Sequence, residues 1–124
     1  MKMTGSKKWI IPGVHIPFKS TGIEPVMVSQ DRIAILNLQP GPVKIHLTVY
    51  QAGMDPVSGY ILEIQGQRLK KIRLNDLIDP YPLYLDTDYA LLIEADRQVI
   101  VQFLRMNTGN GNAAIMGTMG YGTD

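Results

Sequence analysis

The chain has 124 residues, 45% of them apolar and 19% charged, with no cysteine and a formal net charge of +1. That length can bury a core without staples, and the composition excludes a disordered or fibrous chain. The missing cysteine excludes disulfides and thiolate chemistry and fits a reducing compartment, while the near-neutral charge gives no general pull toward nucleic acid or anionic lipid.

Residues 1–8 are polar and basic and read as a flexible tail on a single domain spanning 1–124. The apolar residues Trp9, Ile10 and Ile11 form a short strand that Pro12 cuts off. A secretory signal needs an apolar region of roughly 7–15 residues, which this is not. No run approaches the roughly 18 apolar residues of a membrane helix, so the expected location is the cytoplasm. Gly13, Pro17, Gly22 and Pro25 then punctuate a long connection that excludes helix. A loop of that length is functional or packs across one end of the sheets.

Strand signals follow at short spacing. Residues 32–38 form one, and Gln39-Pro40-Gly41-Pro42 is a strong turn. The cleanest strand is 43–50: Val43, Ile45, Leu47 and Val49 face one way, Lys44, His46, Thr48 and Tyr50 the other. Residues 53–59 read as a loop. Residues 60–64 and 68–74 then read as a hairpin around Gln65-Gly66-Gln67, with Lys70-Lys71 marking a bulge or an edge strand. Next comes the densest polar stretch in the middle of the chain, 73–88, with Asn75-Asp76, Pro80, Pro82 and Asp86-Thr87-Asp88. A second hairpin is expected from 89–95 and 98–106 around Asp96-Arg97. A Gly/Asn-rich turn over 107–112 and a strand over 113–120 complete the chain. The pattern is all-β: an antiparallel β-sandwich of about eight short strands without significant helix.

Some strands are apolar on both sides. Val99, Val101 and Phe103 share one face of theirs; Ile100, Leu104 and Met106 share the other. A lone antiparallel sheet wets one face, so self-association is the simplest cover, and the chain's own loops are the alternative.

Chemical motifs are sparse. His46 alternates with polar strand residues, and His15 stands alone in the Pro-rich connection, so both read as surface histidines rather than metal ligands. Gly109-Asn110-Gly111-Asn112-Ala113-Ala114 matches a dinucleotide fingerprint loosely but lacks the following helix and the later acid. Asp76, Asp79, Asp86 and Asp88 fit no cation-loop spacing and read as turn formers, so no metal and no cofactor is expected. Arg68, Lys70, Lys71 and Arg73 form a basic strand edge too small for sequence-specific nucleic-acid binding. Trp9, Tyr81, Tyr84, Arg73, Asn75 and Asp76 could pair an aromatic platform with planar polar groups, as sugar sites do, although tyrosines beside prolines also pack as ordinary loops.

The order of features resembles the family of soluble sensory rhodopsin transducers, over most of the chain. The residues that carry it are Trp9-x-Ile11 with Ile16-Pro17, Ile35-Leu36-Asn37, Thr48-Val49-Tyr50 and Asp55-Pro56 to Tyr60. The most specific are Arg73-x-Asn75-Asp76-Leu77-x-Asp79-Pro80 and Asp86-Thr87-Asp88-Tyr89-Ala90, followed by Val101-Gln102-x-x-Arg105 and residues 114–121. The chain departs from the family's usual residues at Gly13-Val14-His15, at Gln30-Asp31 and within 102–107. The resemblance implies a β-sandwich assembled as a homotetramer without enzymatic activity. It implies either a domain for a small polar ligand such as a sugar, or an adaptor that docks a membrane photoreceptor or other receptor and relays its signal. Candidate ligand contacts are Trp9, Arg73, Asn75, Asp76, Asp88 and Arg105.

Overall fold

The computed structural model describes residues 4–16, 29–78, 80–84, 86–107 and 114–124. Among the described residues, eight antiparallel strands run in the order β1 (Ser6–His15), β2 (Gln30–Asn37), β3 (Val43–Gln51), β4 (Met54–Ile64), β5 (Arg68–Arg73), β6 (Asp88–Asn107), β7 (Ala114–Met119) and β8 (Tyr121–Thr123). The only helical element among the described residues is a 3₁₀ turn, Leu74–Asp76, and no helix there is long and apolar enough to cross a membrane.

The architecture is a β-sandwich whose two sheets share one strand. The first sheet has the order β4-β3-β6-β1-β8. In the second, β2 lies between β5 and β6, and β7 pairs the far side of β6. Strand β6 belongs to both: residues 90–95 pair with β3, and residues 100–106 pair with β2. The expected hairpin at Asp96-Arg97 is therefore not formed. These exposed residues mark the crossing from one sheet to the other, where Asp96 Oδ1 accepts the Lys44 N–H at 3.0 Å.

The second expected hairpin fails for a related reason. Strand β4 pairs with β3 in the first sheet, whereas β5 pairs with β2 in the second, so 65–67 is an arch between sheets. It is held from the β2 side. Asn37, fully buried, donates through Nδ2 to the carbonyls of Gly41, Ile64 and Gln65 and accepts the Gln39 N–H at Oδ1. Strand β5 has a single partner strand, so Lys70 and Lys71 lie on an edge as read from the sequence.

Two strands start earlier or run further than the sequence suggests. Residues 6–8 of the expected tail lie in β1, which continues through Pro12 to His15. A register shift between Ile11 and Val14 lets the proline, which has no N–H to give, sit in the ladder. Residues 54–59, expected in a loop, open β4; the pairing slips between Leu47 and Val49, and Gly59 takes up the bulge at φ 105°. Pro17, Gly22, Pro25, Asp79 and all but the first residue of the Gly/Asn-rich turn expected over 107–112 lie outside the described residues.

Alternation fills the core. Ile33 and Ile35 of β2, Val43, Ile45 and Leu47 of β3, and Leu91, Ile93 and Val101 of β6 are all buried. Their opposite neighbours are partly or fully exposed: Lys44 and His46 on β3, Leu92 and Ile100 on β6. Several large apolar side chains remain outside the core, including Ile10, Ile61, Ile115 and Tyr121.

Candidate functional site

Strand register brings four polar residues to one end of the sandwich. His15 closes β1 opposite Asp88, the first residue of β6. Asp31, near the start of β2, stands opposite Arg105 near the end of β6. Because β6 runs through both sheets, the two pairs converge.

Asp31 is the anchor. It is 0% exposed, a position a carboxylate occupies only when donors surround it. Arg105 Nε donates to Oδ1 at 2.9 Å and Nη2 to Oδ2 at 3.0 Å, a two-pronged pair. The His15 backbone N–H donates to Oδ2 at 2.8 Å. Arg105 Nη2 also donates to the Gly13 carbonyl at 2.9 Å, and its guanidinium lies 5.4 Å from the centre of the Phe103 ring. One ion pair thus ties β1, β2 and β6 together. Hydrogen bonding to Asp31 raises the Arg105 pKa above its ordinary value; burial opposes this, and the charges of Asp31 and Asp88 add to it.

The outer layer is more open. His15 Nδ1 lies 2.8 Å from Asp88 Oδ1, which places a proton on Nδ1, and Nε2 lies 3.6 Å from Asp86 Oδ1. The His15 side chain is 37% exposed and that of Asp88 95%. Asp86 takes φ 52°, a left-handed conformation that Asp tolerates better than most residues, and its N–H donates to the Ile16 carbonyl at 2.8 Å. Gly13, Val14, His15, Asp88, Tyr89 and Arg105 line a cavity of about 310 Å³ here. Among the described residues, no group of three or more His, Cys or acidic side chains is arranged to hold a metal ion.

Of the residues expected from the sequence, Asp88 and Arg105 meet in this cavity. Arg73, Asn75 and Asp76 gather on the neighbouring 3₁₀ turn. There Arg73 Nη2 and Asp76 Oδ1 are 3.3 Å apart, and Asn75 Nδ2 donates to the Ser29 carbonyl at 3.1 Å. The turn touches the same end through β2, where Arg32 pairs with Arg73 beside the Asp31–Arg105 pair. Trp9 stands apart. It is 7% exposed, with Nε1 donating to the carbonyls of Ser6 and Val99 at 3.0 Å each, and it pins β1 against the crossing of β6. Six residues of strand separate it from His15, about 20 Å.

Sequence reasoning missed His15 and Asp31. The available signal was Arg105 itself: an arginine on the inward face of a strand needs a buried acid, and Asp31 sits at the start of a strand.

A family model described as Anabaena sensory rhodopsin transducer matches residues 4–122. Among solved structures, Thermotoga maritima 1070 superposes with a TM-score of 0.87 at 26% identity, over 98% of this chain and 97% of that one. The Anabaena sensory rhodopsin transducer superposes with a TM-score of 0.74 at 33% identity, over 82% of this chain and 89% of that one. No curated protein matches the chain.

Proposed function

The chain belongs to the Anabaena sensory rhodopsin transducer family, and we propose that it is a non-enzymatic signalling domain that binds a small, uncharged polar ligand of the sugar or polyol class. The observation that carries this reading is the cavity at the His15–Asp88–Arg105 end, whose inner wall is hydrogen-bonded to Asp31 and whose outer wall is exposed. Asp31 holds Arg105 and the His15 backbone in place from a fully buried position. Asp88 and His15 stay accessible. Carboxylate and guanidinium together suit hydroxyl groups, which donate to the one and accept from the other. Asp31 and Arg105 offset each other, and the exposed Asp88 carboxylate disfavours anions. The family departures at Gly13-Val14-His15 and Gln30-Asp31 fall at this cavity or its anchor, which favours a recognition surface particular to this chain.

A thermal-shift screen of neutral sugars and polyols tests the proposal. Ligand at about 100 times its dissociation constant stabilises by about 2.7 kcal/mol, a readily measured shift. Asp88→Ala, at a side chain almost fully in water, should melt like the wild type and lose the ligand-induced shift. No shift from any such compound at millimolar concentration would count against the reading.

The second reading is an adaptor for a membrane photoreceptor, favoured by the likeness to the Anabaena transducer. Exposed apolar side chains support partner or self contacts. Ile10 stands between Leu92 and Tyr121 on the outer face of the first sheet. We assign that face to a homotetramer contact, and light scattering that gives the mass of one chain at micromolar concentration would contradict the assignment.

A further inference from the structure

A second cavity, of about 260 Å³, lies under the other edge of the first sheet. Val49 of β3 and Val57 and Tyr60 of β4 form its inner wall, and Tyr81, Leu83 and Tyr84 form its cover. The cover is fastened at both ends: the Tyr60 hydroxyl donates to the Tyr81 carbonyl at 2.5 Å, and the Tyr84 N–H donates to the Tyr89 hydroxyl oxygen at 2.6 Å. Tyr60 is 2% exposed, and burial raises its pKa, partly offset by that carbonyl contact.

We propose that this cavity is a binding site for a small, planar, uncharged aromatic molecule. None of the described residues that line it carries a charge, so an ionised ligand would give up its hydration for no counter-charge. Four tyrosines, Tyr60, Tyr81, Tyr84 and Tyr89, are among the lining residues, and aromatic side chains suit an aromatic ring by offset or edge-on stacking. The volume, about 260 Å³, falls just below the usual range of ligand sites, roughly 300 Å³ and upward, and limits the occupant to one or two fused rings. Gln51, whose Nε2 donates to Met54 Sδ at 3.1 Å, places an amide at the rim for a ring N–H or O–H. Tyr81 and Tyr84 are each 61% exposed, so the cover presents aromatic surface to an incoming ring. The proposal is argued apart from the polar cavity beside His15, with which this one shares Tyr89.

Indole and benzoate, two planar probes of opposite character, test it by amide chemical-shift titration of the full chain. Indole should give saturable shifts at the amides of Val49, Gln51, Met54, Val57, Tyr60, Tyr81, Leu83 and Tyr84, and benzoate should give none there. Val57→Phe, which fills the cavity, should weaken indole at least tenfold. Tyr81→Ala, a change at an exposed side chain, should weaken it measurably and covers the case in which Val57→Phe fails to fold. Absence of saturable shifts up to the solubility of indole would overturn the proposal. So would equal binding of benzoate, or indole binding unchanged in both variants.

Discussion

Replacing Asp31 with alanine should be among the most damaging single changes at the polar end. The carboxylate is fully buried and accepts from Arg105 Nε, Arg105 Nη2 and the His15 N–H. Removing one partner of a buried pair strands the other and costs about 3–5 kcal/mol. The Arg105 side chain is 29% exposed, so water recovers part of the loss, and the lower end, about 3 kcal/mol, is expected. At roughly 3–6 °C per kcal/mol for a domain of this size, the melting temperature should fall by about 9–18 °C. The assay is urea unfolding followed by the fluorescence of Trp9, the single tryptophan, with Asp31→Ala, Arg105→Ala and the double variant. Because the residues act as one unit, the double variant should cost about 1–3 kcal/mol less than the two single losses added together. A single-variant loss below about 1 kcal/mol, or strictly additive losses, would refute the claim that this pair ties β1, β2 and β6.

Asn37→Ala should cost about 2–4 kcal/mol, since it leaves three buried or half-buried carbonyls and the Gln39 N–H without their partner; chemical denaturation reads this directly. Gly66→Ala should destabilise by at least about 1–3 kcal/mol, because a Cβ there would lie 2.3 Å from the Pro40 carbonyl oxygen, whereas Gly41→Ala meets nothing within 4 Å and should be close to neutral. Tyr60 is held protonated by burial, with its pKa above the ordinary 10.0. The unfolded chain therefore releases that proton first, and stability should fall as pH rises above about 10. Tyr60→Phe should remove that part of the alkaline slope in melting curves from pH 8 to 11 while losing the hydrogen bond to Tyr81, about 1 kcal/mol.

The alternating strand 43–50 was legible because each residue's face follows from a period of two, and the break in alternation at Lys70-Lys71 marked the basic edge of β5. Turn chemistry was less informative. Gln65-Gly66-Gln67 and Asp96-Arg97 announce a change of environment, but polar or small residues serve equally at a hairpin and where the chain passes between sheets. Only the partner strand distinguishes the two, and partners are set by long-range packing. The site was legible by half for the same reason. Asp88 and Arg105 stood out as residues, yet their partners His15 and Asp31 lie 73 and 74 positions away and meet them through the register of β1 and β2 on β6. Asn75 and Asp76 looked like a site and sit on a turn that braces the start of β2. Trp9 looked like a platform and is a core anchor, because a ring with its N–H satisfied by two backbone carbonyls packs inward.

The central claim is that the end of the sandwich around His15, Asp88 and Arg105 is a recognition surface. Its most direct test is a two-dimensional amide spectrum of the chain titrated with neutral sugars and polyols. Saturable shifts clustered at Gly13, Val14, His15, Asp88, Tyr89 and Arg105, absent in Asp88→Ala, are the result the account predicts. Shifts clustered elsewhere, or none at millimolar ligand, would contradict it.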